Sequence, residues 1–249
     1  MDINSFVIGL AKGKKSGSGY FSTKENDAGG LTYAFSAKNI EWEVLSALID
    51  KSITEVDSDV TSVGNYAFHG CSQLTKANLP NATFINMYAF AGCSLLESIN
   101  APNVTSFGQY VFNDCKKIKS VDFPNTTNVE FAMFYNCNKL TSANFLVATV
   151  IDNRAFDSCY SLLALILRSE SLCTLRYTSA FTKCYHLLGT VNSTYNPSGD
   201  KDCYIYVPSA LVESYKSATN WSTYASQFRA LEDYTVDGTI TGELDPNKI

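Results

Sequence analysis

Cys93-Ser-Leu-Leu-Glu-Ser-Ile-Asn-Ala-Pro-Asn-Val-Thr-Ser-Phe-Gly-Gln-Tyr-Val-Phe112 decides the fold, because the chain writes it several times over. Its cysteine recurs as Cys71, Cys93, Cys115, Cys137 and Cys159, 22 residues apart, and again as Cys184 after a gap of 25. Before each of these stands a phenylalanine: Phe68, Phe90, Phe112, Phe134, Phe156 and Phe181. After each stands an aliphatic residue: Leu74, Leu96, Ile118, Leu140, Leu162 and Leu187. The apolar columns of the quoted copy are Cys93, Leu96, Ile99, Ala101, Val104, Phe107 and Phe112. Cys71, Leu74, Ala77, Leu79, Ala82 and Ile85 hold the matching places before it.

Ile99 and Ala101 alternate with polar residues, which predicts a short strand with these two side chains facing inward. Pro80, Pro102 and Pro124 end the strand, since proline cannot donate to a ladder. Asn81, Asn103 and Asn125 follow as turn formers. One such coil buries too little apolar surface to offset the entropy of ordering it, so coils must stack and the two ends need covers. A period between 20 and 29 with leucine-type anchors is the signature of a leucine-rich-repeat solenoid. The expected fold is therefore β-rich: a right-handed, curved stack of coils with a parallel strand ladder. An N-terminal helical cap and a C-terminal strand-helix cap close it. Stacked cysteines point their Cβ atoms in parallel, which does not suit the geometry of a disulfide, so a buried column of free thiols is expected. Cys173 and Cys203 stand off the column; they can pair with each other, and the free form is the preferred reading.

The quoted motif resembles the BspA-type leucine-rich repeat. Val60-Thr-Ser-Val-Gly-Asn-Tyr-Ala-Phe68 fits the same pattern, and the Ala-Phe-x-x-Cys element recurs in register. The resemblance covers residues 60–210. Asp202-Cys-Tyr-Ile-Tyr-Val-Pro208, with Tyr215, Lys216 and Trp221 after it, is similar to the terminal cap of that family. The resemblance implies a curved, non-catalytic solenoid at a cell surface or outside the cell, adhering to host or matrix proteins. The later units depart from the pattern: Leu146 and Arg168 replace the proline, and three residues are inserted between Cys159 and Cys184.

The expected organisation is a flexible segment over 1–38, a cap helix and half-repeat over 39–59, and repeats over 60–200. A C-terminal cap over 201–231 and a loose acidic tail over 232–249 complete it. Within 39–59, Asn39 can cap a helix over 40–49 whose face holds Trp42, Leu45, Leu48 and Ile49. Residues 12–19 read as a flexible linker, and 31–35 as a short strand. The apolar run from Phe6 to Ala11 is shorter than the core of a secretory leader, and its lysines follow instead of preceding it. Net charge is −5, and the tail after Leu231 holds five acids against one lysine. No basic face is left for nucleic acid, and no apolar run approaches the roughly 20 residues of a membrane span.

Two side chains of each strand point away from the core. One outward column holds Asn78, Asn100, Asp122 and Asn144, then Ile166. Its neighbour holds Lys76, Ser98, Ser120, Ser142 and Ala164. The first column is the candidate binding strip for a protein or glycan ligand. The competing reading is a ladder of amides bonding along the stack. Leu163 and Ile166 interrupt the strip, either as an apolar contact patch or within an irregular coil that buries them. Tyr66, Tyr88 and Tyr110 form a further column, expected to stack on one another. His69 and His186 read as exposed. Neither histidine has the serine, cysteine and acid company of a nucleophile site, and the His and Cys spacing of a zinc site is missing, so no catalytic residue, metal or cofactor is expected. Glu55, Asp57 and Asp59 lack a calcium loop around them. The Asn-x-Thr triplets at Asn81, Asn103 and Asn125 match a glycosylation acceptor but arise from the repeat itself. The functional expectation is a monomeric, non-catalytic recognition module; the alternative is a structural subunit of a larger surface or phage assembly.

Overall fold

The computed structural model describes residues 19–25, 31–37, 53–236 and 239–240. The expected cap helix over 40–49, the linker before Gly19 and the apolar run near residue 6 lie outside them. Each repeat contributes two short strands separated by a corner, which a proline forms after β5, β7 and β9. The longer ones are β3 (Glu55–Ser58), β5 (Lys76–Asn78), β7 (Ser98–Asn100), β9 (Ser120–Asp122), β11 (Ser142–Phe145) and β13 (Ala164–Leu167). The shorter ones are β4 (Ser62–Val63), β6 (Phe84–Ile85), β8 (Ser106–Phe107), β10 (Asn128–Val129), β12 (Val150–Ile151) and β14 (Thr174–Leu175). Pairing is parallel, one coil on the next: Ala77 lies opposite Val56 and Ile99, and Ala143 opposite Val121 and Leu165. Ahead of the repeats, β1 (Gly19–Glu25) and β2 (Leu31–Ala37) form an antiparallel hairpin, and β2 joins β3 in parallel.

The core is a set of columns. Phe68, Phe90, Phe112, Phe134, Phe156 and Phe181 stack with centroids 5.0–5.8 Å apart and interplanar angles of 4–16°. All eight cysteines are buried and free, Cys173 and Cys203 included. The thiols of Cys93, Cys115, Cys137, Cys159 and Cys184 donate at 3.1–3.2 Å to the carbonyls of Phe68, Phe90, Phe112, Phe134 and Phe156, each one coil earlier. Cysteine fits because it is small, apolar and still carries a donor.

Between its second strand and the cysteine, a coil bends back through two left-handed residues, the coil that ends at Cys184 through one. Tyr66, Tyr88, Tyr110, Ala132 and Arg154 form one such column; Gly70, Gly92, Asp114, Asn136, Ser158 and Lys183 form the other. In this turn alternate N–H groups donate to the next coil, as Tyr88 N–H does to Gln109, Phe90 to Val111 and Gly92 to Asn113, at 2.7–3.0 Å. Two of the three residues inserted before Cys184 lie at the corner after β13, where Cys173 enters the core, since Ile151 pairs with Leu175, and the third lies between β14 and Phe181.

After the last repeat, α1 (Tyr185–Leu188) ends on left-handed Gly189. Then β15 (Tyr204–Val207) extends the ladder beside β13. A helix α2 (Val212–Ser217) and a 3-10 stretch (Trp221–Gln227) lead to β16 (Phe228–Ala230), which pairs in parallel with β15. The phenylalanine column ends at Phe181, which meets Trp221 at 6.1 Å and Tyr224 at 5.4 Å. The indole Nε1–H of Trp221 donates to the Cys173 carbonyl at 2.6 Å, and the Cys173 N–H donates to the Tyr215 hydroxyl at 2.9 Å. A second apolar cluster joins Ala164, Ile166, Tyr206 and Leu231.

Candidate recognition surface

The alternation of each long strand sends one column inward and two outward. The strip residues stand in register as two pairs, Asn78 opposite Asn100 and Asp122 opposite Asn144. Each pair is bonded within itself. Asn78 donates its amide to the Asp57 carboxylate at 2.7 Å, Asn100 to Asn78 at 2.7 Å, and Asn144 to Asp122 at 2.8 Å. The amide ladder anticipated as the competing reading is therefore present, and it leaves the strip's faces toward solvent. Lys76, Ser98 and Ser120 beside it are exposed and Ser142 half-buried, so its neighbour column is largely of small hydroxyls.

The strip ends where the column changes to Ile166, which is only 6% exposed and packs with Tyr206 and Leu231. Its coil is not irregular, since Asn144 and Ile166 stay in register; Tyr206 of β15 and Leu231 after β16 supply the cover. Leu163 remains open, at 36% exposure. One consequence is local: Asn144 Oδ1 is buried with no hydrogen-bond partner, because isoleucine offers no donor above it.

The tyrosine column stacks as expected. Tyr88 lies 5.0 Å from Tyr66 and 4.6 Å from Tyr110, both nearly coplanar, with Phe131 edge-on to Tyr110 at 5.2 Å. Partial burial, then the two flanking rings, push the Tyr88 hydroxyl pKa above its ordinary value. The left-handed backbone of these tyrosines was not legible; a bulky residue there is a conformational outlier. A second aromatic group, Tyr160, Tyr185 and Tyr195, gathers beside Lys139, whose ammonium lies 5.9 Å from the Tyr195 ring. It includes a loop residue outside the period, so spacing could not reveal it.

His69 is exposed, but His186 is half-buried, held at 2.6 Å by Asp202. Asn103 and Asn125, in the acceptor triplets, donate their amides to the Pro80 and Pro102 carbonyls. Their side chains thus fasten coil to coil. Among the described residues no three His, Cys, Asp or Glu side chains gather as a metal site, and no helix is long and apolar enough to cross a membrane.

Known proteins carry the same repeat. A family profile described as BspA type Leucine rich repeat region matches residues 38–163 in six copies. Among solved structures, a leucine-rich repeat protein of Eubacterium ventriosum is 24% identical with a TM-score of 0.47, over 59% of this chain and 41% of that one. A leucine rich cell surface protein of Faecalibacterium prausnitzii is 20% identical with a TM-score of 0.39, over 63% and 56%. The leucine-rich repeat protein of T. pallidum is 18% identical with a TM-score of 0.37, over 63% and 80%. The matches span less than two thirds of the first two of these chains. No curated protein matches the sequence. Leucine-rich repeats of this kind are generally non-catalytic and serve in recognition. The stacked phenylalanines, the bonded cysteines and the profile spanning half the sequence agree: this chain belongs to the BspA-type leucine-rich-repeat family.

Proposed function

We propose that the chain is a monomeric recognition module that binds a protein or glycan at a cell surface, through the outward face of its strand ladder. The supporting observation is the column Asn78, Asn100, Asp122 and Asn144, a polar row of two in-register pairs beside small hydroxyl side chains. Such a face offers hydrogen-bond partners at about 4.8 Å intervals, the spacing of strands in a ladder. The neighbouring structure of F. prausnitzii, described as a cell surface protein, favours the location.

The test is a binding screen of the full chain against matrix proteins and glycans, followed by Asn100→Ala with Asp122→Ala. A loss of roughly tenfold or more in affinity, with folding intact by circular dichroism, supports the strip. Undiminished binding removes it. A defined oligomer in light scattering would instead favour a subunit of a larger assembly.

A further inference from the structure

The stack has a seam. The long-strand ladder runs from β3 through β5 to β7, stops, and begins again at β9; the short-strand ladder stops at β8 and resumes at β10. Both breaks fall between the Cys93 coil and the Cys115 coil. Bonds flanking the strands tell the same story. Leu79 N–H donates to Asn100 and Phe123 N–H to Asn144 at 2.8 and 3.0 Å, yet the equivalent bond from Ala101 to Asp122 is missing among the described residues. Glu97 donates to Thr75 and Thr141 to Lys119, but Lys119 does not donate to Glu97. Gly108 donates to Ile85 and Asp152 to Val129, but Glu130 does not donate to Phe107. At the corner, Thr127 to Thr105 is stretched to 3.4 Å, against 2.8–3.0 Å at Thr83, Thr105 and Thr149.

The remaining side stays fastened. Tyr110, Phe112 and Asp114 donate to Phe131, Met133 and Tyr135 at 2.9–3.1 Å, and the Cys137 thiol keeps its bond to Phe112. The corner is held too, by the Asn125 amide on the Pro102 carbonyl at 2.9 Å and the Thr126 hydroxyl on the Val104 carbonyl at 3.0 Å. Two mismatches account for the open sides. In the amide ladder every asparagine donates toward the preceding coil, but Asp122, which follows Asn100, carries no donor when ionised. Two acceptor groups therefore face one another. In the core, the bulky ring changes sides: Ala101 with Phe107 in one coil meets Phe123 with Val129 in the next, and the two rings stand edge-to-face at 4.7 Å. Ile99 is left half-buried here, where Ala77 and Ala143 are fully covered.

We propose that this junction is a built-in pivot: the two halves of the stack hinge about the fastened turn and corner, and the long-strand side opens and closes between Asn100 and Asp122. On the binding reading above, a ligand laid along the strip spans the pivot and fixes one curvature; the pivot itself rests only on the junction's own bonds.

Amide hydrogen exchange on the full chain tests it without any ligand. Ala101, Lys119 and Glu130 are expected to exchange at least tenfold faster than Leu79, Thr141 and Asp152, roughly the contrast between an open and a bonded backbone. Asp122→Asn supplies the missing donor to Asn100 while still accepting from Asn144, and is expected to slow Ala101 and Lys119 by roughly tenfold. Equal rates at all junctions of the unmodified chain, or fast rates that Asp122→Asn leaves unchanged, would overturn the proposal.

Discussion

The thiol of Cys137 reaches the carbonyl oxygen of Phe112 at 3.1 Å, one coil earlier, while the Cys115 N–H donates to that same oxygen at 3.1 Å. Both lone pairs of a buried carbonyl are thereby used, one within a coil and one between coils. The arrangement repeats at Phe68, Phe90, Phe134 and Phe156.

Replacing Cys137 by alanine removes one of these two bonds and leaves a sulfur-sized void. The expected cost is about 2 kcal/mol, the sum of a buried hydrogen bond and a small cavity. A denaturant midpoint measures it. The same burial makes all eight thiols inert to a thiol reagent in the native chain and all eight reactive after unfolding without reductant.

Alkaline pH acts on the same groups. Burial raises the pKa values of Cys115, Cys137, Cys159, Cys184 and Cys203 above the ordinary thiol value, and that of Cys173 to about 12. A pKa raised in the folded state means stability that is whole below the unfolded value, about 8.5, and is lost as pH climbs toward the folded one. Each such thiol removes up to about 1.4 kcal/mol per pH unit in that window. Urea midpoints should hold level up to pH ~8 and fall steeply by pH ~10; a flat profile would show the thiols to be hydrated.

Gly108 admits no side chain. A Cβ there would fall 2.7 Å from the Asn86 carbonyl carbon and 2.8 Å from Met87 Cα. Both are backbone atoms of the preceding coil, so neither can rotate away. Gly108→Ala should cost more than about 3 kcal/mol, beyond the usual range for a small substitution. Thermal unfolding would register it; an unchanged midpoint would mean that the coils separate freely at this place.

Lys183 has the opposite problem. It is exposed and left-handed, with φ 59°, in the column that Gly70 and Gly92 begin. Glycine adopts this backbone without the penalty of roughly 1–2 kcal/mol that a Cβ incurs, but the unfolded chain gains freedom that partly offsets it. Lys183→Gly should therefore stabilise by about 0.5–1 kcal/mol, visible as a small rise in the unfolding midpoint.

The phenylalanine and cysteine columns were legible because stacking gives every copy of a position the same surroundings. The strip residues were found by the same alternation, and their mutual bonding could be posed as an alternative but not decided. What failed to show obeys no period. Leu231 covers Ile166 from far along the chain, and His186 meets Asp202 across a loop. The left-handed turn was half visible: Gly70, Gly92, Asp114 and Asn136 are the residue types that tolerate it, whereas Tyr66, Tyr88 and Tyr110 disguise its partner column. The seam turns on a carboxylate at Asp122 where its neighbours carry amides, and on a ring that changes sides from Phe107 to Phe123; a polar column and an apolar column look the same with either.

Because each coil offers a sulfhydryl to the unit behind it and a phenylalanine carbonyl to the unit ahead, both halves of the fastener travel inside one period of 22 residues. Duplicating or deleting a whole period leaves every fastener matched, so such a molecule can lengthen or shorten over evolutionary time while its cross-section stays fixed. Insertions of any other size must be taken up between strands, as the three extra residues before Cys184 are, two at a corner and one in the turn before Phe181.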